Sequence, residues 1–151
     1  MWTYSGNTGS ITPATDADNW TLDAVSAGIG KVKEFYWGGE ATTSTAMHTK
    51  VARSSGGSTL SVEVAGTEFG GQDQPANKLD FITDYGTEPT LNASGTIFAI
   101  SWNAHGGVVR WLADPDEEIW LVTGQTLNQM SCRNSVGTAT SSYGVIWQEV
   151  I

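Results

Sequence analysis

Apolar residues in this chain fall in short runs of two-residue period. In Thr96 to Asn103 the positions Phe98, Ile100 and Trp102 share one side of that period, and Val145 and Trp147 share one side near Val150. No apolar set keeps a helical spacing beyond three turns. The candidate strands are Trp2 to Ser5, Trp20 to Ala24, Lys31 to Trp37, Ala46 to Arg53, Thr59 to Val64, Thr87 to Leu91, Thr96 to Asn103, Val108 to Leu112, Glu118 to Val122, Thr126 to Arg133 and Ser142 to Val150. Reversals separate them. Gly38-Gly39, Gly56-Gly57, Gly70-Gly71 and Gly106-Gly107 each follow a strand-like run, and glycine supplies the positive φ that tight turns use. Asp114-Pro115-Asp116 adds another, with proline set for the second position of a type I turn. Only Leu79 to Tyr85 suggests a short helical turn. Roughly eight to ten strands without helical insertions predict an all-β, single-domain antiparallel sandwich.

The alternation is incomplete, and that changes the picture. Ile97 and Ala99 oppose Phe98 and Ile100; Ile146 and Val150 oppose Val145 and Trp147; Trp120 and Val122 oppose Ile119 and Leu121. A sandwich with one wet face should be polar on alternate positions. Two apolar faces require two burial partners, and the second is either a covering loop or another chain, most simply a copy of this one. Phe35, Trp37, Phe98, Trp102, Trp111, Trp120, Ile146 and Trp147 are therefore expected in the core or at a subunit interface. Residues 1–18 are polar and turn-rich and read as an N-terminal arm or first edge strand, with residues 19–151 forming the sandwich. Trp2 and Tyr4, set among polar neighbours, are candidates for contact with another molecule.

Composition agrees with strands and excludes some partners. Glycine, serine and threonine make up 51 of the 151 residues, against 15% charged residues, a mix that disfavours helical bundles. The net charge of −9 would repel a phosphate backbone, so direct nucleic-acid binding is not expected. Six acids and one base fall between Ser54 and Pro89, a stretch that reads largely as surface loop. No apolar run approaches a membrane span, and the N-terminal residues do not resemble a signal peptide, which suggests a soluble protein made in a cytoplasm. Cys132 is the single cysteine, so packing must supply the stability that a disulfide would give elsewhere.

Catalytic chemistry finds little footing. The histidines, His48 and His105, lie far apart in sequence and outside any nucleophile motif, and Arg133 beside Cys132 would point to the opposite strand face. Asp114, Asp116, Glu117 and Glu118 crowd one turn and read either as solvated acids or as a partial calcium site; the former is favoured, and no metal or cofactor is expected. Seven tryptophans leave sugar stacking open, although most sit in apolar strand runs.

Three segments carry a resemblance. Lys31-Val32-Lys33-Glu34-Phe35-Tyr36-Trp37-Gly38-Gly39 is a basic strand running into aromatics. Gly107-Val108-Val109-Arg110-Trp111-Leu112-Ala113-Asp114-Pro115-Asp116-Glu117-Glu118-Ile119 is an Arg-aromatic strand leading to a Pro-acidic turn, and Ser142-Tyr143-Gly144-Val145-Ile146-Trp147-Gln148-Glu149 closes the chain. In this order they resemble the small head decoration, or cement, proteins of tailed bacteriophages. The resemblance implies a jelly-roll-like sandwich that forms a homotrimer on the outer capsid surface of the virion, clamps major capsid subunits and has no enzymatic role. The protein would be made in the host bacterial cytoplasm. No family binding residue transfers position by position; the candidates for partner contact, Trp2, Tyr4, Asp114 and Asp116, come from the reading of the residues themselves. The alternative is a carbohydrate-binding sandwich of a phage spike or fibre used in host attachment.

Overall fold

A computed structural model describes residues 1–24, 28–57, 63–64, 67–68 and 78–150. Its strands are β1 (Trp2–Ile11), β2 (Asp18–Asp23), β3 (Ile29–Gly39), β4 (Ala46–Ser55), β5 (Glu63–Val64), β6 (Thr67–Glu68), β7 (Asp80–Ile82), β8 (Thr90–Asn103), β9 (Val108–Leu112), β10 (Ile119–Val122), β11 (Gln129–Val136) and β12 (Ser141–Val150). They form two antiparallel sheets. One runs β10-β3-β12-β1-β6, with β9 beside β10 on the same edge of β3; the other runs β5-β7-β2-β11-β4-β8. With the three short strands set aside, β1-β12-β3-β9/β10 faces β2-β11-β4-β8. The chain crosses between the sheets at nearly every connection, which is the double Greek-key order of a jelly roll.

Alternation builds the core from both sheets. Tyr4, Val32, Phe35, Trp37, Leu121, Tyr143, Val145 and Trp147 meet Trp20, Leu22, Val51, Phe81, Met130 and Cys132, and each is at most 1% exposed. Val32, Phe35 and Trp37 all point inward because the ladder shifts at Ile146/Trp147, which changes the side to which β3 presents its residues. The aromatic rings are continuous through this layer. Trp147 stacks on Tyr4 and Phe81 at centroid distances of 5.9 and 6.4 Å, and Phe35 stacks on Trp37 and Trp111 at 5.9 and 4.7 Å.

The connection from β4 to β8 is more than a surface loop. It sets β6 beside β1 and β7 beside β2, so it extends both sheets on one lateral side. Leu79 and Phe81 are fully buried there, and the ring of Phe81 lies so close to Gly6 that a Cβ would stand 2.4 Å away. Glu149 pins the segment to β12: its buried carboxylate accepts the backbone N–H of Lys78 at 2.7 Å, that of Leu79 at 2.9 Å and the Trp147 indole N–H at 3.0 Å. Phe81 and Ile82 pair with Leu22 and Thr21, so in place of the helical turn expected over Leu79 to Tyr85 the chain forms a short strand at Asp80–Ile82 and no helix in the remainder. The lone edge of β2 overrides the weak local preference.

Other expectations are corrected similarly. Thr96 to Asn103 and the end of the expected strand Thr87 to Leu91, Thr90 and Leu91, belong to one long strand, β8, whose ladder with β4 slips between them; Thr87 to Pro89 lie outside it. Gly38-Gly39 ends β3 without a positive φ; Gly39 is required by the Ala104 carbonyl, which would lie 2.1 Å from a Cβ. Asp116 has φ 71°, so the Asp-Pro turn is of type II character instead of type I. The expected strand Thr59 to Val64 and the pair Gly70-Gly71 lie largely or wholly outside the described residues.

Candidate functional site

The two lateral sides of the sandwich are unlike. One is extended by β5, β6 and β7. On the other, β8 ends its sheet and β9 with β10 end theirs, and neither edge has a further strand among the described residues. Edge strands present unpaired backbone groups, so an open side is a place for association. Here it is also apolar: Val108 is 79% exposed and Leu112 58%, while Ile97, Phe98, Ile100, Trp102, Val109 and Trp111 are half-buried against the core. Trp102 donates its indole N–H to Thr49 Oγ1 at 2.9 Å, which fixes its ring at the mouth between the sheets.

Ion pairs fix the outer surface of the β3 sheet. Glu118, whose side chain is only 5% exposed, receives both Lys31, at 3.2 Å, and Lys33. The Lys33 contact, the backbone N–H of Glu118 and Lys31 hold its carboxyl down to about 2. Arg110 grips Glu34 with two nitrogens at 2.6 and 3.0 Å. Trp120, 44% exposed, lies under the Lys31 ammonium at 5.5 Å from its ring centroid. Ile146 also lies on this outer face, half-buried, whereas Phe35, Trp37 and Trp147 are in the core.

The N-terminal candidates separate. Tyr4 is fully buried beside Trp147, so it is withdrawn as a partner contact; Trp2 is half-buried and packs on the core edge. The segment is no free arm, because β1 pairs with β12 from Trp2 opposite Glu149 to Ile11 opposite Ser141. Polar neighbours along the chain concealed a partner that lies at its far end. Asp114 and Asp116 are exposed on their turn, which Glu117 closes by donating its N–H to the Asp114 carbonyl at 3.0 Å. Among the described residues no group of His, Cys, Asp or Glu assembles a metal site. His48 contacts Ser135 Oγ at 2.7 Å through Nδ1, and His105 contacts the Ala41 carbonyl at 2.9 Å. Burial pushes the Cys132 thiol far above its ordinary range, which leaves it inert as a nucleophile.

Sequence reasoning gave no site role to Val108, Leu112 or Arg53. Arg53 lines a cavity of about 350 Å³ with Trp120, Val122, Gln125, Thr126 and Leu127. The signal was present as an arginine on the inward period of β4, after Met47, Thr49 and Val51, where an apolar residue would be expected. No protein-family model, no curated protein and no solved structure matches this chain.

Proposed function

We propose that this protein is a non-catalytic structural component of a phage particle, a homotrimer on the outer capsid surface that holds neighbouring major capsid subunits together. The observation that supports this most is the asymmetry of the sandwich, extended along one side and left with apolar open edges on the other. A threefold ring packs one patch of each protomer against a different patch of the next. The β8 and β9 edges, with Val108 and Leu112, supply the first patch, and the outer face of β12 around Ile146 supplies the second. A jelly roll whose core closes within one protomer leaves those surfaces free for assembly.

The mechanism is linkage: a trimer that binds the assembled lattice and not its separated subunits raises the lattice's resistance to heat. Particles lacking the protein should assemble and release their DNA at lower temperature than complete particles. Adding back purified protein should restore the difference. Equal release temperatures with and without it reject the cementing role.

A further inference from the structure

Arg53 is the arginine that stands apart. Arg110 pairs with Glu34 and Arg133 with Asp18 at 2.6 Å, yet Arg53 has no ion pair or hydrogen bond among the described residues, in a chain with nine excess acids. It is also half-buried. Arg53 lies opposite Met130 in the β4·β11 ladder, which places its stem on the inward face of the sheet with Val51 and Cys132. A guanidinium carries five donors, no acceptor and a permanent charge, so partial burial without a partner is costly. Burial indeed pushes it below the ordinary arginine range.

The surroundings are built to admit it. The β8 ladder slips beside Arg53, passing from Thr96 opposite Ala52 to Leu91 opposite Ser54. Gly95 in this bulge passes so near that a Cβ would stand 2.9 Å from Arg53 Cβ. Bulges that re-aim a side chain are common beside binding sites. Around the guanidinium, Trp120 supplies an aromatic surface, Val122 and Leu127 supply apolar wall, and Gln125 and Thr126 supply donors and acceptors. A cavity of about 350 Å³ holds a small ligand.

We infer that this cavity binds a carboxylated sugar ring, with the ligand carboxylate on Arg53, a ring face on Trp120 and hydroxyls on Gln125 and Thr126. Arginine matches a carboxylate with two parallel N–H donors. A plain fatty carboxylate would leave the two polar residues unused, and a neutral sugar would leave the guanidinium unpaired. The cavity is lined from β4, β10 and the segment after it, and β10 pairs with Ile29–Val32 of β3 whereas β9 pairs with Glu34–Gly38, so the site is separate from the proposed contact at Val108 and Leu112 of β9. It does not depend on the capsid reading.

The test is a titration of the intact protein with sodium glucuronate, followed by isothermal titration calorimetry in the wild type and every variant, with glucose, acetate and a short Asp/Glu-rich peptide as comparators. Saturable glucuronate binding is expected, at least about tenfold weaker in Arg53→Gln and lost in Trp120→Ala. Thermal melts of both variants check that they remain folded, and Gln125→Ala, which alters the rim alone, should weaken glucuronate without affecting acetate. Glucose binding as well as glucuronate, acetate binding as well as glucuronate, tighter binding of the peptide, full affinity in Arg53→Gln or no saturable response would each overturn the assignment.

Discussion

Trp147 and Trp120 are the same residue type on the two strands that flank β3, facing opposite sides of the sheet, and their environments give them opposite weight. Trp147 is enclosed between Tyr4 and Phe81, so Trp147→Ala should destabilise the fold by about 3–5 kcal/mol in a denaturant melt. Trp120→Ala, at an exposed site, should change it by less than about 1 kcal/mol. Glu118 gives a pH signature. Its folded-state pKa is depressed from 4.5 to about 2, so the stabilisation is present above pH 4.5 and disappears as pH falls towards 2. The urea midpoints of wild type and Glu118→Gln should differ at neutral pH and converge in that acid window. Inward positions such as Trp147 were legible from the two-residue period. Tyr4 was not, because its burial depends on β12 and not on its own neighbours. Arg53 was visible as a charge on the inward period of β4, but its cavity was not, because β10 of the other sheet and the segment after it complete the lining and no sequence period links them to β4.

At the level of elements, β1 is structural. Deleting residues 1–11 removes a ladder along most of β12 and exposes Trp147 and Phe81, and the shortened chain should fail to give a cooperative melt by circular dichroism. The open edge behaves differently. Val108→Glu with Leu112→Glu places two charges on side chains that touch little of the core, so under the proposed assembly the fold should keep its melting temperature while mass photometry shows the proposed trimer replaced by monomer. Coincident loss of fold and assembly would argue against that edge as the contact. The strand Val108–Leu112 could be read to the residue, since Gly106-Gly107 and Asp114-Pro115 bound it. The strand β7 could not, because its hydrogen bonds are supplied by β2. Local preference decides an element only where no sheet edge lies waiting.

Across the whole molecule, composition and alternation disclosed the all-β class, but not which strands adjoin. The reason lies in the pairings: among the described residues, none of the ladders joins two strands consecutive in sequence. Turn chemistry, which specifies hairpins, therefore carries no information about sheet order here. The charge pattern was equally partial. The acidic middle stretch looked like solvated loop, yet within it Leu79 and Phe81 are core residues and Glu88 accepts the Asp18 N–H at 3.0 Å. The arrangement also bears on the speed with which the chain finds its structure. With no hairpin among the described ladders to act as a nucleus, each of them requires closure of a long loop before any contact repays it, which places refolding in the millisecond-to-second range. Until β12 docks, β1 and β3 each lack the neighbour that separates them, and both remain open to pairing with the wrong chain. Dilute refolding should therefore give a higher yield than concentrated refolding.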